Sequence, residues 1–207
     1  MKRLALTIIF FFLTVFIAGG AMISFSWAIK GSEVFWVVKQ ATPPTILLVV
    51  LALGVWSYDK TRLSNRYVGN YPEFGIKGLF LSATLGAVLF VGSLILQYFL
   101  TGTIQNNSAY YTLPFERFWP SAVIALAFTG VGQPIVEELI FRGRVFDAAK
   151  SSLSTSTSIG LVSILFAALH SQHFFPTFIF SVVLCLMRIR HGLRMCIFTH
   201  IFFNVMS

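Results

Sequence analysis

Charged residues are scarce in this chain of 207 residues, and the acidic ones are fewer than the basic ones. Only 11% of the residues are charged, with 7 Asp or Glu against 15 Lys or Arg, whereas 57% are hydrophobic and 23 are Phe. A soluble domain of this size could not bury so much apolar surface. The lack of charge therefore excludes an ordinary soluble globular protein and indicates a membrane protein.

Cysteine is also rare, and its two positions, Cys185 and Cys196, show no metal-type spacing and lie in or beside apolar runs. This excludes a disulfide framework and a CxxC redox motif. The net charge of +8 would suit a nucleic-acid-binding protein, but the basic residues lie between apolar runs and form no continuous stretch. They indicate the orientation of membrane spans, and no nucleic acid partner is expected.

Long apolar runs dominate the remaining sequence. They approach the ~20 residues that a transmembrane helix needs, and they are continuous instead of alternating, which disfavours a barrel. We therefore predict an all-α, polytopic transmembrane helical bundle of about seven spans, with a polar intramembrane site, forming a single domain over residues 1–207. Residues 1–118 would hold the N-terminal spans, and residues 119–207 the functional core. The predicted apolar runs are 4–28, 42–58, 78–100, a fourth from about 119, 159–169, 174–187 and 195–207.

The distribution of basic residues predicts the orientation of these spans. With seven spans and the N-terminus in the cytoplasm, 12 of the 15 Lys and Arg residues fall on the cytoplasmic side. Such a bias follows the positive-inside rule. We therefore expect a multi-pass cell-membrane protein with a cytoplasmic N-terminus and a C-terminus on the opposite side.

A cluster of charge interrupts the fourth apolar run, at Glu137, Glu138 and Arg142. Each charge placed at mid-bilayer costs about 2.5 to 3.5 kcal/mol on insertion scales, so these residues need a reason to be there. Glu138 and Arg142 are four residues apart and can form an ion pair on one helix face, whereas Glu137 points about 100° away and stays available. Pro134, just ahead, is expected to bend the helix. The alternative is that all three residues bind the helix end to lipid headgroups.

Two further polar positions follow on later apolar runs. His170 comes four residues after Phe166, and His200 and Asn204 share one helix face. His170 alone could be an interfacial residue, and His200 with Asn204 could form hydrogen bonds between helices, worth about 0.6 kcal/mol each. However, Glu137 and His170 lie at similar distances from the Ser/Thr-rich turn predicted at 151–158, so both can reach one level in the bundle.

These three motifs, in this order, resemble those of the CPBP family, which comprises CAAX proteases and bacteriocin-processing enzymes and is also called the Abi family. The Phe141-Arg142-Gly143 continuation fits the family as well. Each motif alone is weak, but three in order on successive apolar runs are a strong signal. The resemblance covers residues 119–207, and its motif residues are Glu137, Glu138, Arg142, Phe166, His170, His200 and Asn204.

The resemblance implies an intramembrane endopeptidase. By motif, Glu137 with His170 would activate the attacking water, and His200 with Asn204 would stabilise the oxyanion. Carboxylates in apolar surroundings are good general bases, and two donors on a tetrahedral oxygen lower an acyl-transfer barrier. Supporting positions in the site are expected for Glu138, Arg142 and Phe166.

The same resemblance raises the question of a metal ion, because the family is often labelled a metallopeptidase family. Glu137, His170 and His200 could bind zinc with one open position. The chain has no His-Glu-x-x-His helix, however, and a water activated by Glu and His needs no metal. We expect no obligatory cofactor, with zinc as the alternative.

The substrate cannot be deduced from these residues. The expected partners are a peptide or membrane-protein substrate and the lipid bilayer. This short chain resembles the bacterial relatives, which are linked to bacteriocin immunity and to peptide maturation. Eukaryotic relatives remove the last three residues of prenylated proteins. The alternative function is a non-proteolytic membrane immunity or scaffold protein that binds a peptide partner, although such a protein would not need an unpaired Glu137.

Overall fold

A computed structural model describes residues 75–103, 126–170 and 173–206. This part of the chain is entirely helical, without β-strand, in agreement with the predicted all-α class. Four of its helices match predicted apolar runs to within about a turn, while the predicted runs 4–28 and 42–58 lie outside the described residues. The described helices are α1 Ile76–Thr101, α2 at 126–150, α3 Thr155–Ala168, α4 Phe174–His191 and α5 Leu193–Met206.

Two of the described helices, α1 and α4, are long and apolar enough to cross a membrane by length and composition. The helices α3 and α5 are apolar but shorter, with 14 residues each. At ~1.5 Å per residue they extend over about 21 Å, less than a typical hydrocarbon core. Many large apolar side chains on α1 are exposed, including Phe99 at 80%. The predicted seven spans are thus supported for two helices of the described part.

Helix α2 is continuous but changes its hydrogen-bonding pattern three times. The segments Leu126–Gly132 and Leu139–Val145 have wide, π-helical turns, while Gln133–Glu138 and Phe146–Lys150 are α-helical. The first change falls beside Pro134, whose missing N–H cannot bond to the carbonyl of the preceding turn. Wide turns occur frequently at functional sites. The two glutamates therefore lie in a short, tight segment between two wide ones.

The turn between α2 and α3 is shorter than predicted. It ends at Ser154, whose hydroxyl accepts a hydrogen bond from the backbone N–H of Thr157 at 3.2 Å. This N-cap satisfies a free amide of the first turn and starts α3 at Thr155. The predicted turn over 151–158 is thus wrong for its second half, because the cap lies inside the Ser/Thr-rich stretch.

Close packing joins the helices around the polar site. Helices α1 and α5 run in parallel, with Ser82 donating to the sulfur of Met195 at 3.0 Å and Phe90 meeting Phe203 edge-on. Between these contacts, Gly86 faces α5 so closely that an added Cβ would lie 2.8 Å from a side-chain atom there. Small residues at such positions allow membrane helices to approach each other. The buried apolar core comprises Phe141, Phe146, Phe166, Leu184 and the free thiols of Cys185 and Cys196.

Candidate active site

The site contains a buried ion pair. Arg142 Nη1 donates to Glu138 Oε1 at 2.8 Å, and both side chains are completely buried. The other guanidinium nitrogen, Nη2, donates to the hydroxyl of Ser181 on α4 at 2.8 Å. The guanidinium also lies over the ring of Phe166, 4.5 Å from its centroid. The predicted pair between Glu138 and Arg142 is confirmed, and it connects α2 to α3 and α4.

The second carboxylate, Glu137, points to a different group of residues. Its Oε1 accepts a hydrogen bond from Gln133 Nε2 at 2.7 Å and lies 4.0 Å from His170 Nε2. Its Oε2 lies 3.7 Å from His200 Nε2 and has no hydrogen-bond partner among the described residues. Glu137 is 7% exposed. The structure thus brings together three predicted site residues from α2, α5 and the end of α3.

Hydrogen bonds fix where each histidine ring carries its proton. Nδ1 of His170 lies 2.9 Å from the carbonyl of Phe166, and Nδ1 of His200 lies 2.9 Å from Glu138 Oε1. A carbonyl or a carboxylate can only accept, so Nδ1 carries the hydrogen in both rings. In the neutral state Nε2 of each ring then holds a lone pair, and both face Glu137.

Aromatic side chains hold the two histidine rings in place. Phe166 lies against His170, with ring centroids 4.8 Å apart, and meets Phe141 edge-on. Phe180 from α4 contacts the ring of His200 edge-on at 4.9 Å. The supporting position predicted for Phe166 therefore has a direct packing explanation. The contact of Phe180 was not predicted, because nothing distinguishes it among 23 phenylalanines.

Asn204, the remaining predicted site residue, lies one turn beyond His200 on α5. It is half-buried and engaged in at least one interaction. Its role as an oxyanion donor stays a prediction. Besides Phe180, two polar residues of the site were not predicted. Gln133 lies one turn before Glu137, so its spacing could have revealed it, whereas the sequence holds no signal for Ser181.

The arrangement of the two histidines bears on the binding of a metal ion. Both histidines donate Nδ1–H to an oxygen and present Nε2, as metal-bound histidines do. However, the two Nε2 atoms face different oxygens of Glu137, and no three His, Cys, Asp or Glu side chains of the described residues are grouped as a metal site requires. No step is therefore assigned to a metal, and the expectation that no cofactor is obligatory stays a prediction.

A comparison with known families bears on this arrangement. The family model described as Type II CAAX prenyl endopeptidase Rce1-like matches residues 118–206, which contain all three motifs. No curated protein and no solved structure shows a significant match to the chain. Over residues 118–206 the chain is therefore similar to the Rce1-like type II CAAX prenyl endopeptidases, which are membrane proteases, and the family resemblance predicted from the motifs is confirmed there.

Proposed function

We propose that the protein is an intramembrane endopeptidase that hydrolyses a peptide bond of a membrane-associated peptide or protein. The observation that carries this proposal is Glu137, a buried carboxylate with one oxygen unpaired, placed between the Nε2 atoms of His170 and His200. The neighbouring Glu138 also has an oxygen, Oε2, without a hydrogen-bond partner among the described residues, but its Oε1 already accepts from both Arg142 and His200. An available carboxylate beside two histidines suits general-base catalysis.

Glu137 takes a proton from water in this mechanism. Glu137 lies 4.0 Å from His170 Nε2 and 3.7 Å from His200 Nε2, and both distances are longer than a direct hydrogen bond. They are compatible with a water molecule that contacts both the carboxylate and an imidazole nitrogen. Neutral His170 accepts the second hydrogen of that water at Nε2 and so orients it. The water oxygen attacks the carbonyl carbon of the substrate while its proton passes to Glu137. The same proton then moves to the leaving nitrogen as the C–N bond breaks.

His200 stabilises the oxyanion of the tetrahedral intermediate. Because its Nδ1–H is committed to Glu138, Nε2 can donate only if the ring is an imidazolium. Two carboxylates lie beside the ring, Glu138 with Oε1 at 2.9 Å and Glu137 with Oε2 at 3.7 Å. The side-chain amide of Asn204 supplies a second donor. Loss of one donor in such a hole typically costs about 10²- to 10³-fold in rate.

The first prediction separates this enzyme from a scaffold. Glu137→Gln keeps the shape of the side chain but removes the base, so proteolysis should fall about 100-fold or more while the protein still accumulates in the membrane. The substrate is found by comparing peptides in membranes from wild-type and variant cells. Glu73→Gln, which lies outside the matched residues, is the control and should cleave normally.

Two outcomes would change the proposal. Full biological activity of Glu137→Gln would favour the non-proteolytic immunity or scaffold function. Loss of wild-type cleavage after chelation, with recovery on adding Zn²⁺, would assign Glu137, His170 and His200 to a metal ion. We expect chelation to leave the rate unchanged.

A further inference from the structure

Gln133 is a polar, half-buried residue of the site that belongs to none of the three motifs. It lies four residues, or about one α-helical turn, ahead of Glu137 and is the first residue of the tight segment Gln133–Glu138. The spacing in that segment puts the two side chains on one face, where Nε2 of Gln133 donates to Oε1 of Glu137 at 2.7 Å. In the wide turns on either side, residues four apart would not be stacked in this way. The α-helical geometry of this short segment therefore allows the contact between Gln133 and Glu137.

This contact makes the two oxygens of Glu137 different. Oε1 is held by Gln133, whereas Oε2 has no hydrogen-bond partner in the described part of the chain and lies 3.7 Å from His200. The terminal torsion of a glutamate is broad, so a carboxylate without such a partner would rotate and exchange its oxygens. A base acts efficiently only when the accepting atom is held in the correct direction.

We propose that Gln133 is the positioning residue of Glu137, holding Oε1 and so fixing the orientation of the carboxylate that takes the proton of the attacking water. This inference rests on the proposed peptidase function and names the residue that orients its base. Gln133 touches no reacting group itself. It acts only through Glu137, so its contribution depends on the donor character of its amide and not on the volume of its side chain.

Gln, Met and Glu have side chains of similar shape, so placing each of them at position 133 tests whether the hydrogen-bond donor is what matters. Gln133→Met removes the donor, and kcat should fall about tenfold with KM unchanged, since a hydrogen bond to a charged group is worth about that factor or more. Gln133→Glu places an acceptor against Oε1, and kcat should fall further, by about 100-fold. The assay uses purified protein in proteoliposomes and a farnesylated CAAX peptide. Gln97→Met on α1, the same change away from the site, should leave both constants unchanged.

A second measurement needs no substrate. Thermal unfolding in detergent of Gln133→Met, Glu137→Met and the double variant should show coupling, with the double variant losing less than the two single losses together. The exchanged variant, Gln133→Glu with Glu137→Gln, rebuilds the pair in reverse. It should recover the melting temperature lost by Gln133→Glu and remain inactive.

The two proposals can fail separately. If the wild-type protein cleaves the peptide no faster than Glu137→Gln, the proposed activity on this substrate fails, and unfolding alone decides whether the two residues are coupled. If the wild-type protein is active but Gln133→Met has the wild-type kcat, the positioning role is wrong. Additive unfolding losses at Gln133 and Glu137 would likewise overturn it.

Discussion

At the scale of single residues, one oxygen atom of Glu138 accepts two hydrogen bonds. Its Oε1 accepts hydrogen bonds from Arg142 at 2.8 Å and from His200 at 2.9 Å. The pair with Arg142 could be predicted, because four residues on one helix bring the two side chains together whatever the fold. The bond to His200 could not, because it joins residues 62 positions apart and depends on how α5 packs against α2. The ion pair thus also orients a histidine of the site.

Breaking this ion pair from one side should be costly. Arg142→Ala leaves Glu138 buried without its counter-charge, and removal of one partner of a buried pair typically costs about 3–5 kcal/mol. We expect lower protein levels, a lower melting temperature in detergent and weak activity. Ser181→Ala, which removes only one acceptor of Arg142, should cost about 1 kcal/mol and is the matched control.

Removing both charges tests the pairing directly. Glu138→Gln with Arg142→Met leaves no isolated charge, and the amide oxygen at position 138 can still accept from His200 Nδ1. Much of the melting temperature should return, while activity stays low because the negative charge beside His200 is gone. If the losses of the single variants simply add in the double variant, the two residues do not stabilise each other.

At the scale of helices, apolar runs were easier to predict than the interior of α2. The runs at α1, α3, α4 and α5 are continuous, so composition alone located them. The wide turns of α2, Leu126–Gly132 and Leu139–Val145, leave no periodic signal in the sequence. Where a helix changes from π-helical to α-helical hydrogen bonds, one backbone carbonyl is left without an N–H donor from the same helix. Arg188 from α4 donates to the carbonyl of Arg142 at 3.2 Å in this segment, a contact that only the tertiary structure creates.

The contact between α1 and α5 gives a prediction at this scale. A Cβ at Gly86 would lie 2.8 Å from Phe202 Cβ and 2.9 Å from the carbonyl of Thr199. Gly86→Ala should therefore separate the helices and cost about 1–3 kcal/mol by overpacking. Gly92→Ala on the same helix meets nothing within 4 Å among the described residues and should be neutral or slightly stabilising, since Ala is the better helix former. Equal melting temperatures for the two variants would show that α1 does not pack on α5 through Gly86.

At the scale of the whole molecule, the described contacts place four helix ends on one side of the bundle. The contact of Ser82 with Met195 puts the start of α1 beside the start of α5, and Arg188 Nη2 lies 3.3 Å from Asp147, joining the ends of α4 and α2. Since Gly192 is the only residue between α4 and α5, all these ends lie on one side of the bundle. The charge distribution predicts that this side faces the cytoplasm, and that orientation stays a prediction. The basic residues at this end are Lys77, Arg144, Lys150, Arg188, Arg190 and Arg194.

This grouping leads to the prediction of orientation. Positive residues are retained in the cytoplasm, so a fluorescent protein inserted after Ser152, in the turn between α2 and α3, should fold and fluoresce. Alkaline phosphatase fused after Ser207 should be active, because it needs the oxidising side of the membrane to form its disulfides. The exchanged fusions, phosphatase at Ser152 and fluorescent protein at Ser207, should both be silent. Fluorescence at both positions would place both helix ends in the cytoplasm and remove one crossing from the predicted seven. The crossing to reconsider first would be α3 or α5, because 14 residues cover about 21 Å and the hydrocarbon core is ~30 Å thick.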